Sequence, residues 1–235
     1  MPSGLFGTVK VHPKNKYKVK KVIPAYTWLW RVNDVNNPPK KEFEIAKIMG
    51  KEGLGPTVHD TKISLFKSTM KMNKMNGTLL NMAEADNLSR KDMEQIVGKL
   101  VKLHKIGYYH GDIHRYNIMF TSQKNSKDWK FIDFGRTKKI TQKLNYDDVL
   151  HQILVRDDRI SRFLTSIPYG FERDLLNLHS TLNYADIIQN EAKHKTMNNP
   201  PFYHYSRYKF DEWFFKTVKN AVSEYNNNNT KRRNK

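Results

Sequence analysis

The chain has 235 residues and no cysteine, and Lys plus Arg number 42 against 23 Asp plus Glu. The length is sufficient for one large domain or two small lobes. The absence of cysteine excludes disulfides and Cys-ligated metal sites, and it fits the cytoplasm or another reducing intracellular compartment. No apolar run approaches the roughly 18–20 residues that cross a bilayer, and the first residues lack a signal peptide's apolar stretch. We therefore expect no membrane partner.

The formal charge of +19 requires an explanation. A field of that sign attracts polyanions such as nucleic acid, an anionic surface, an acidic protein segment or a nucleotide. Lys and Asn are abundant along the whole chain, so composition alone identifies no binding face. The positive charge is compatible with a nucleic-acid partner, but it does not by itself predict one.

Short strands and one helix are predicted for the first third of the chain. Four β-like runs occur at residues 8–11, 17–23, 62–66 and 68–72. The first two flank a turn-rich segment and predict a β-hairpin. One apolar helical face over residues 40–49, ended by Gly50, predicts a helix.

The remainder of the chain is predicted to be mostly helical. A helix is expected from Ser89, a suitable N-cap, to Gly107, which ends it. The polar and charged tail at 226–235 is predicted to be disordered. The sequence therefore indicates the α+β class, with a strand-rich N-lobe over residues 1–75 and a helical C-lobe over residues 76–225.

The chemically informative residues lie between positions 109 and 135, within the predicted C-lobe. Asp112 is followed five residues later by Asn117, and Asp133 begins an Asp-Phe-Gly triplet. One carboxylate can orient an acceptor hydroxyl and take its proton. An amide oxygen and a second carboxylate suit Mg²⁺ against a triphosphate, because hard cations prefer oxygen ligands. Each fragment alone is short, so the joint spacing and the helix and strand before each loop carry the argument.

This arrangement resembles the protein-kinase-like superfamily. The resemblance covers roughly residues 2–155 and implies a bilobal protein-kinase-like fold, with a small β-rich N-lobe and a reduced helical C-lobe. It implies ATP and Mg²⁺ as cofactors, Asp112 as the catalytic aspartate with Asn117 in its loop, and Asn117 and Asp133 as the metal ligands.

The start of the chain resembles the second half of the kinase glycine-rich loop. Gly4, Gly7 and Val9 match it, and glycines there let the backbone approach the phosphates. The first glycine of that loop falls at Pro2, and no strand precedes it. Either the first strand is missing from this chain or the sheet is shortened.

One lysine is expected to reach the α and β phosphates. The run Tyr-Lys-Val-Lys ending at Lys20 resembles the kinase Val-Ala-Ile-Lys strand, so Lys20 is assigned. Lys21 is the competing choice, and that register would place Val19 against the adenine. In the family a helix glutamate pairs with this lysine, and Glu44 matches better than Glu42.

Residues 70–79 resemble the strand and hinge that receive the adenine edge. Met72 would be the gatekeeper, and the backbone from Asn73 to Met75 would supply the hydrogen bonds. The Gly-Thr-Leu ending favours a hinge over a plain core strand.

Several departures narrow the resemblance. The catalytic loop has His-Gly-Asp in place of His-Arg-Asp, no Ala-Pro-Glu follows, and only residues 136–146 precede a helix with an expected buried aspartate at Asp148. These traits are similar to the RIO kinases and the kinase of the KEOPS complex. The loop His-Gly-Asp-Ile-His, which ends at His114, instead resembles the His-Gly-Asp-Leu-His loops of aminoglycoside phosphotransferases and choline kinases.

The resemblance implies an ATP-dependent phosphotransferase, with a Ser/Thr protein kinase favoured. Four cations follow Asp-Phe-Gly and favour a protein substrate that is acidic around the acceptor: Arg136, Lys138, Lys139 and Lys143. A small-molecule phosphotransferase of the aminoglycoside or choline type is the alternative, and a pseudokinase binding module is another. The Asn- and Lys-rich composition fits a large DNA virus or an AT-rich microbe, and a viral protein would act in a host cell or a virion.

Overall fold

The computed structural model describes residues 3–4, 7–25, 37–123, 126–155, 170–194 and 203–233. It divides into two compact units. The first comprises residues 1–77 and 119–137, and the second comprises residues 78–118 and 138–235. The predicted boundary after residue 75 lies close to this division, but the segment that carries Asp133 belongs to the first unit. No helix within the described ranges is long and apolar enough to span a membrane.

The first unit is built on a five-stranded antiparallel sheet in the order β1-β2-β3-β5-β4. The strands are β1 (Ser3–Gly4), β2 (Gly7–His12), β3 (Asn15–Pro24), β4 (Val58–Ile63) and β5 (Lys67–Asn73). The predicted hairpin is therefore confirmed as β2 and β3. The two-residue strand β1 pairs with β2 at one edge of the sheet.

Helix α1 (Pro39–Lys51) belongs to the first unit and buries one face, with Phe43 and Met49 at its centre. Each such side chain contributes about 1.5–3 kcal/mol when it is removed from water. The helix starts with Pro39, whose missing N–H costs no hydrogen bond at a first helical position. Near its end, a Cβ on Gly50 would lie 2.8 Å from the Pro56 carbonyl oxygen, so only glycine fits there.

A second hairpin leads to the Asp-Phe-Gly triplet. Strands β8 (Ile118–Gln123) and β9 (Ser126–Phe131) are neighbours in a small sheet, with a two-residue strand β6 (Gly77–Thr78) at the boundary of the units. Trp129 is buried, and the Phe131 N–H donates to the Leu54 carbonyl at 2.8 Å. These contacts fix the chain just before Asp133, and a single 3₁₀ turn follows at Phe134–Arg136.

The second unit is mainly helical. Its helices are α2 (Leu79–Glu84), α3 (Arg90–Lys105), α4 (Tyr146–Val155), α5 (Phe171–His194) and α6 (Tyr203–Arg233). Two short strands, β7 (Tyr108–Tyr109) and β10 (Lys138–Lys139), pair antiparallel. The predicted cap of α3 is confirmed, because the Ser89 hydroxyl accepts from the Asp92 N–H and the Asp92 carboxylate accepts from the Ser89 N–H.

The prediction of a disordered tail from Asn226 was wrong, because α6 continues to Arg233. Phe210, Phe214 and Val218 are buried and anchor the earlier turns of this helix. Once a helix is nucleated, each further residue adds one backbone hydrogen bond, so the helix extends through residues of modest helix propensity.

Candidate active site

Lys21 is the centre of a buried ion cluster within the first unit. Its Nζ lies 2.6 Å from Glu42 Oε1 and 2.9 Å from Asp133 Oδ1. The side chains of Lys21 and Glu42 are 9% and 7% exposed, whereas that of Asp133 is 32% exposed. The strand β3, the helix α1 and the segment after β9 therefore each contribute one charged group.

The predicted pair Lys20 and Glu44 was wrong, and the competing Lys21 and Glu42 form the contact. Successive side chains of a strand point to opposite faces, so a one-residue change of register moves the lysine to the other face of the sheet. Lys20 lies opposite Lys10 and Lys71 on the neighbouring strands. Glu44 is exposed on α1, whereas Glu42 lies on the buried face of that helix.

The charge on Lys21 is set by two opposing effects. Burial alone would lower the pKa of this lysine, but the carboxylates of Glu42 and Asp133 outweigh that effect and raise the pKa above its ordinary value. Lys21 is therefore a permanent cation at neutral pH, held in place by two anions. Such a cation can contact phosphate oxygens without losing its proton.

The Asp-Phe-Gly triplet is held by contacts within the same unit. Asp133 has φ 63°, in the left-handed region that non-glycine residues rarely adopt. Phe134 is buried, and a Cβ on Gly55 would lie 2.9 Å from its ring. The Asn37 side-chain amide donates to the carbonyls of Phe134 and Thr137 at 3.3 and 2.6 Å. Asn37 carried no sequence signal, because it lies in a loop before α1.

The residues predicted around the adenine share the sheet face of Lys21. Val9 is the cross-strand partner of Lys21, and Val19 is the partner of Met72. Gly4 and Gly7 pair with each other at the end of the β1–β2 hairpin, whose tip at residues 5–6 is outside the described residues.

The backbone N–H groups of the predicted hinge differ in their partners. Those of Asn73 and Lys74 donate to the carbonyls of Thr57 and Tyr17. The Met75 N–H makes no hydrogen bond to the part of the chain that the structure describes. The contact of these residues with an adenine stays a prediction.

Asp112 and Asn117 form a second cluster, within the second unit. The Asn117 Nδ2 donates to the Asp112 carbonyl at 2.9 Å and to Asp112 Oδ2 at 3.2 Å. This bond directs the amide nitrogen of Asn117 to the loop and leaves its oxygen as a ligand for a cation. In the first unit, Asp133 also offers a partly exposed carboxylate. Amide and carboxylate oxygens are both donors that Mg²⁺ prefers.

Asp174 is the buried aspartate that braces the catalytic loop. Near the start of α5, it accepts hydrogen bonds from the backbone N–H groups of His110 and Gly111, the second at 2.9 Å. The His104 Nε2 lies 3.4 Å from the same carboxylate. Gly111 has φ 79°, so the loop that precedes Asp112 depends on a left-handed glycine.

Asp148 was predicted to be a buried aspartate, and that prediction was wrong. Asp148 is exposed in the first turn of α4, where it accepts from the Asn145 side chain at 2.6 Å. The periodic apolar residues Phe171, Leu175 and Leu178 would have indicated that Asp174 lies on a buried helix face.

We expect Asp174→Asn to destabilise the protein by about 2–5 kcal/mol and to reduce activity. An amide has one acceptor oxygen, so at least one of the buried backbone N–H groups loses its partner. Asp148→Asn is the matched control and should change the free energy of unfolding by less than about 0.5 kcal/mol. Denaturant unfolding of both variants measures the difference, and equal effects would contradict this role of Asp174.

Comparison with known proteins supports a protein-kinase-like fold. A model of the Lipopolysaccharide kinase (Kdo/WaaP) family matches residues 70–160. The solved kinase domain of PF14_0431 superposes with a TM-score of 0.53 at 16% identity, over 79% of this chain and 62% of that one. The PK-1 kinase of Cydia pomonella granulovirus superposes with a TM-score of 0.52 at 14% identity, over 91% and 82%. No curated protein matches the sequence. The chain therefore has a protein-kinase-like fold.

Proposed function

We propose that this protein is an ATP- and Mg²⁺-dependent phosphotransferase, and specifically a Ser/Thr protein kinase that moves the γ-phosphate to a protein hydroxyl. The observation that carries this proposal is the buried Lys21–Glu42–Asp133 cluster. Burying such charges costs several kcal/mol unless they are paired, and apolar residues would serve stability as well. A fixed cation beside a partly exposed carboxylate is useful where phosphates and a metal are bound.

Each residue of the candidate site has a separate role in this proposal. Lys21 binds phosphate oxygens, and Asp112 orients the acceptor hydroxyl and accepts its proton. The oxygens of Asn117 and Asp133 are the proposed Mg²⁺ ligands. The metal, when bound, neutralises charge that develops on the phosphates.

Asp133→Asn is expected to weaken Mg²⁺-dependent ATP binding by about 10-fold or more, because it removes an anionic metal ligand and one partner of Lys21. Titration calorimetry with ATP, with and without Mg²⁺, measures this effect. Asp60→Asn is the control in the same unit, since Asp60 is 57% exposed and its carboxylate lies 3.3 Å from Lys71 Nζ, at the surface of the sheet. Unchanged Mg²⁺ dependence in Asp133→Asn would exclude Asp133 as a ligand.

A protein substrate with acidic residues around the acceptor is the partner that we propose. Arg136, Lys138, Lys139 and Lys143 follow the Asp-Phe-Gly triplet, and Lys139 and Lys143 are exposed. Each exposed ion pair contributes about 0–1 kcal/mol, so the preference should be cumulative and should decrease as salt is added.

Peptide arrays at low and high ionic strength test this preference. We expect acidic-flanked Ser and Thr peptides to be phosphorylated faster than basic-flanked ones at low salt, with a smaller difference at high salt. Equal rates for the two sets at low salt would contradict it.

A saccharide or other small-molecule acceptor is the second candidate. The match of residues 70–160 to the Lipopolysaccharide kinase model favours it, as does His114 in the catalytic loop. Label on a sugar or aminoalcohol with none on any peptide would favour this candidate over a protein kinase.

A further inference from the structure

A cavity of about 350 Å³ adjoins the catalytic loop within the second unit. Its lining consists of three consecutive loop residues and three residues of α5: His114, Arg115, Tyr116, Ser180, Thr181 and Tyr184. That volume accommodates an amino-acid side chain or a sugar ring, and it is at the small end of the range for ligand sites.

Arg115 is fixed in this cavity by aromatic contacts. Its guanidinium carbon lies 4.6 Å from the centre of the Tyr184 ring and 5.2 Å from that of the Tyr116 ring. Its Nε is buried and makes no hydrogen bond to any described residue. Hydrogen bonds from the guanidinium to the Tyr116 and Tyr184 side chains raise the pKa of Arg115, and together with the ring contacts they hold the cation in position. The planar guanidinium is therefore oriented before a ligand arrives, and it favours a carboxylate or phosphate.

The remaining lining residues are chemically consistent with an anionic ligand. None of the six is acidic, and Ser180 and Thr181 offer hydroxyl donors. His114 belongs to the lining, and its Nε2 lies 3.7 Å from Asp112 Oδ2. The cavity therefore begins one side chain away from the carboxylate that is proposed to act on the acceptor hydroxyl.

We propose that this cavity binds an anionic group, a carboxylate or a phosphate, that the acceptor carries close to the hydroxyl that is phosphorylated. The inference rests on the proposed phosphotransferase function, since it takes the ligand to be part of the acceptor. It differs from a general attraction to a basic surface, because it depends on Arg115 and on the α5 residues that face it.

Thr181→Glu and Thr181→Gln form a matched pair that tests the site. Both side chains have the same length and suit a helix, but only the glutamate places a negative charge in the cavity that Arg115 also lines. The probe is a fluorescent peptide with Ala at the acceptor position, flanked either by Glu or by Gln. Its binding is measured by anisotropy at a fixed salt concentration and needs no phosphoryl transfer.

We expect the wild type and Thr181→Gln to bind the Glu-flanked peptide at least about 10-fold more tightly than the Gln-flanked one, as a charge-assisted bond to Arg115 predicts. Thr181→Glu should reduce this ratio below about 3-fold, although it changes the formal charge of the chain by only one unit. Arg115→Gln should reduce it similarly. A Thr181→Glu variant that keeps the wild-type ratio, or a wild type with no preference, would overturn the inference.

A second set of probes identifies the source of the anion. Glucose 6-phosphate and glucose compete with the labelled peptide in separate titrations. Competition by the phosphate ester alone, lost in Thr181→Glu, supports the site with a phosphorylated sugar as its ligand. If anion binding depends on residue 181 but no acceptor is ever phosphorylated, the proposed function fails while the site stands. If phosphoryl transfer occurs without that dependence, the site fails while the function stands.

Discussion

Asp112→Asn is expected to lower the rate of phosphoryl transfer by about 10²–10⁴-fold and to leave Mg²⁺-ATP affinity within about 2-fold of the wild type. The amide has the shape of the carboxylate but cannot accept the proton of the acceptor hydroxyl. The loop should keep its conformation, because the Asn117 amide also donates to the Asp112 backbone carbonyl, at 2.9 Å.

A single-turnover assay and an ATP titration on the same preparation separate the two effects. Asp147→Asn is the control, since Asp147 is 76% exposed and its partner, Lys219, is also exposed. If Asp112→Asn retained at least half the wild-type rate, the assignment of Asp112 as the catalytic aspartate would be wrong.

Lys21→Met is expected to destabilise the protein by about 3–5 kcal/mol and to reduce turnover by at least about 10-fold. The change leaves Glu42 buried without its 2.6 Å partner and removes the cation proposed to bind the phosphates. Because the pKa of Lys21 is raised, its contribution to stability is complete below the ordinary lysine pKa and declines only at higher pH, above about pH 10. The destabilisation should therefore be the same from about pH 7 to pH 9.

Lys20→Met is the adjacent control, with an expected loss below about 0.5 kcal/mol. Denaturant unfolding and initial rates are measured for both variants. If Lys20→Met is the damaging change and Lys21→Met is silent, the assignment of the two lysines is reversed.

The parts of the site that depend on local spacing could be predicted from the sequence. Asp112 and Asn117 lie in one loop and contact each other, and the capping pair of Ser89 and Asp92 is confined to one helical turn. All the residues that make such contacts lie within a few positions of one another, so the contacts can be predicted without knowledge of the rest of the fold. The kinase-like resemblance rests on such patterns, and the fold that it implies is confirmed by the structural matches.

The site lysine and the buried aspartate were predicted incorrectly because contacts with distant parts of the chain determine both. Lys20 and Lys21 have the same charge and length, and the choice between them is made by Glu42 and Asp133, which are 21 and 112 residues away. Asp174 contacts backbone groups 63 and 64 residues earlier, which no local pattern encodes.

The end of helix α6 was predicted to be disordered but is helical. The polar residues after Asn226 have no apolar pattern of their own, and the helix they continue is anchored by Phe214 and Val218 earlier in the chain. Composition alone therefore underestimates order at the end of an anchored helix.

The proposed activity is transfer of the γ-phosphate of ATP to a hydroxyl group. The most direct test is incubation of the protein with γ-labelled ATP and Mg²⁺ in the presence of acidic and basic peptides and a panel of sugars and aminoalcohols. We predict label in a stable phosphate ester with the wild type, strongest on acidic-flanked Ser or Thr peptides, and none above background with Asp112→Asn. ATP binding with no label on any hydroxyl acceptor, or equal labelling by Asp112→Asn, would contradict the account.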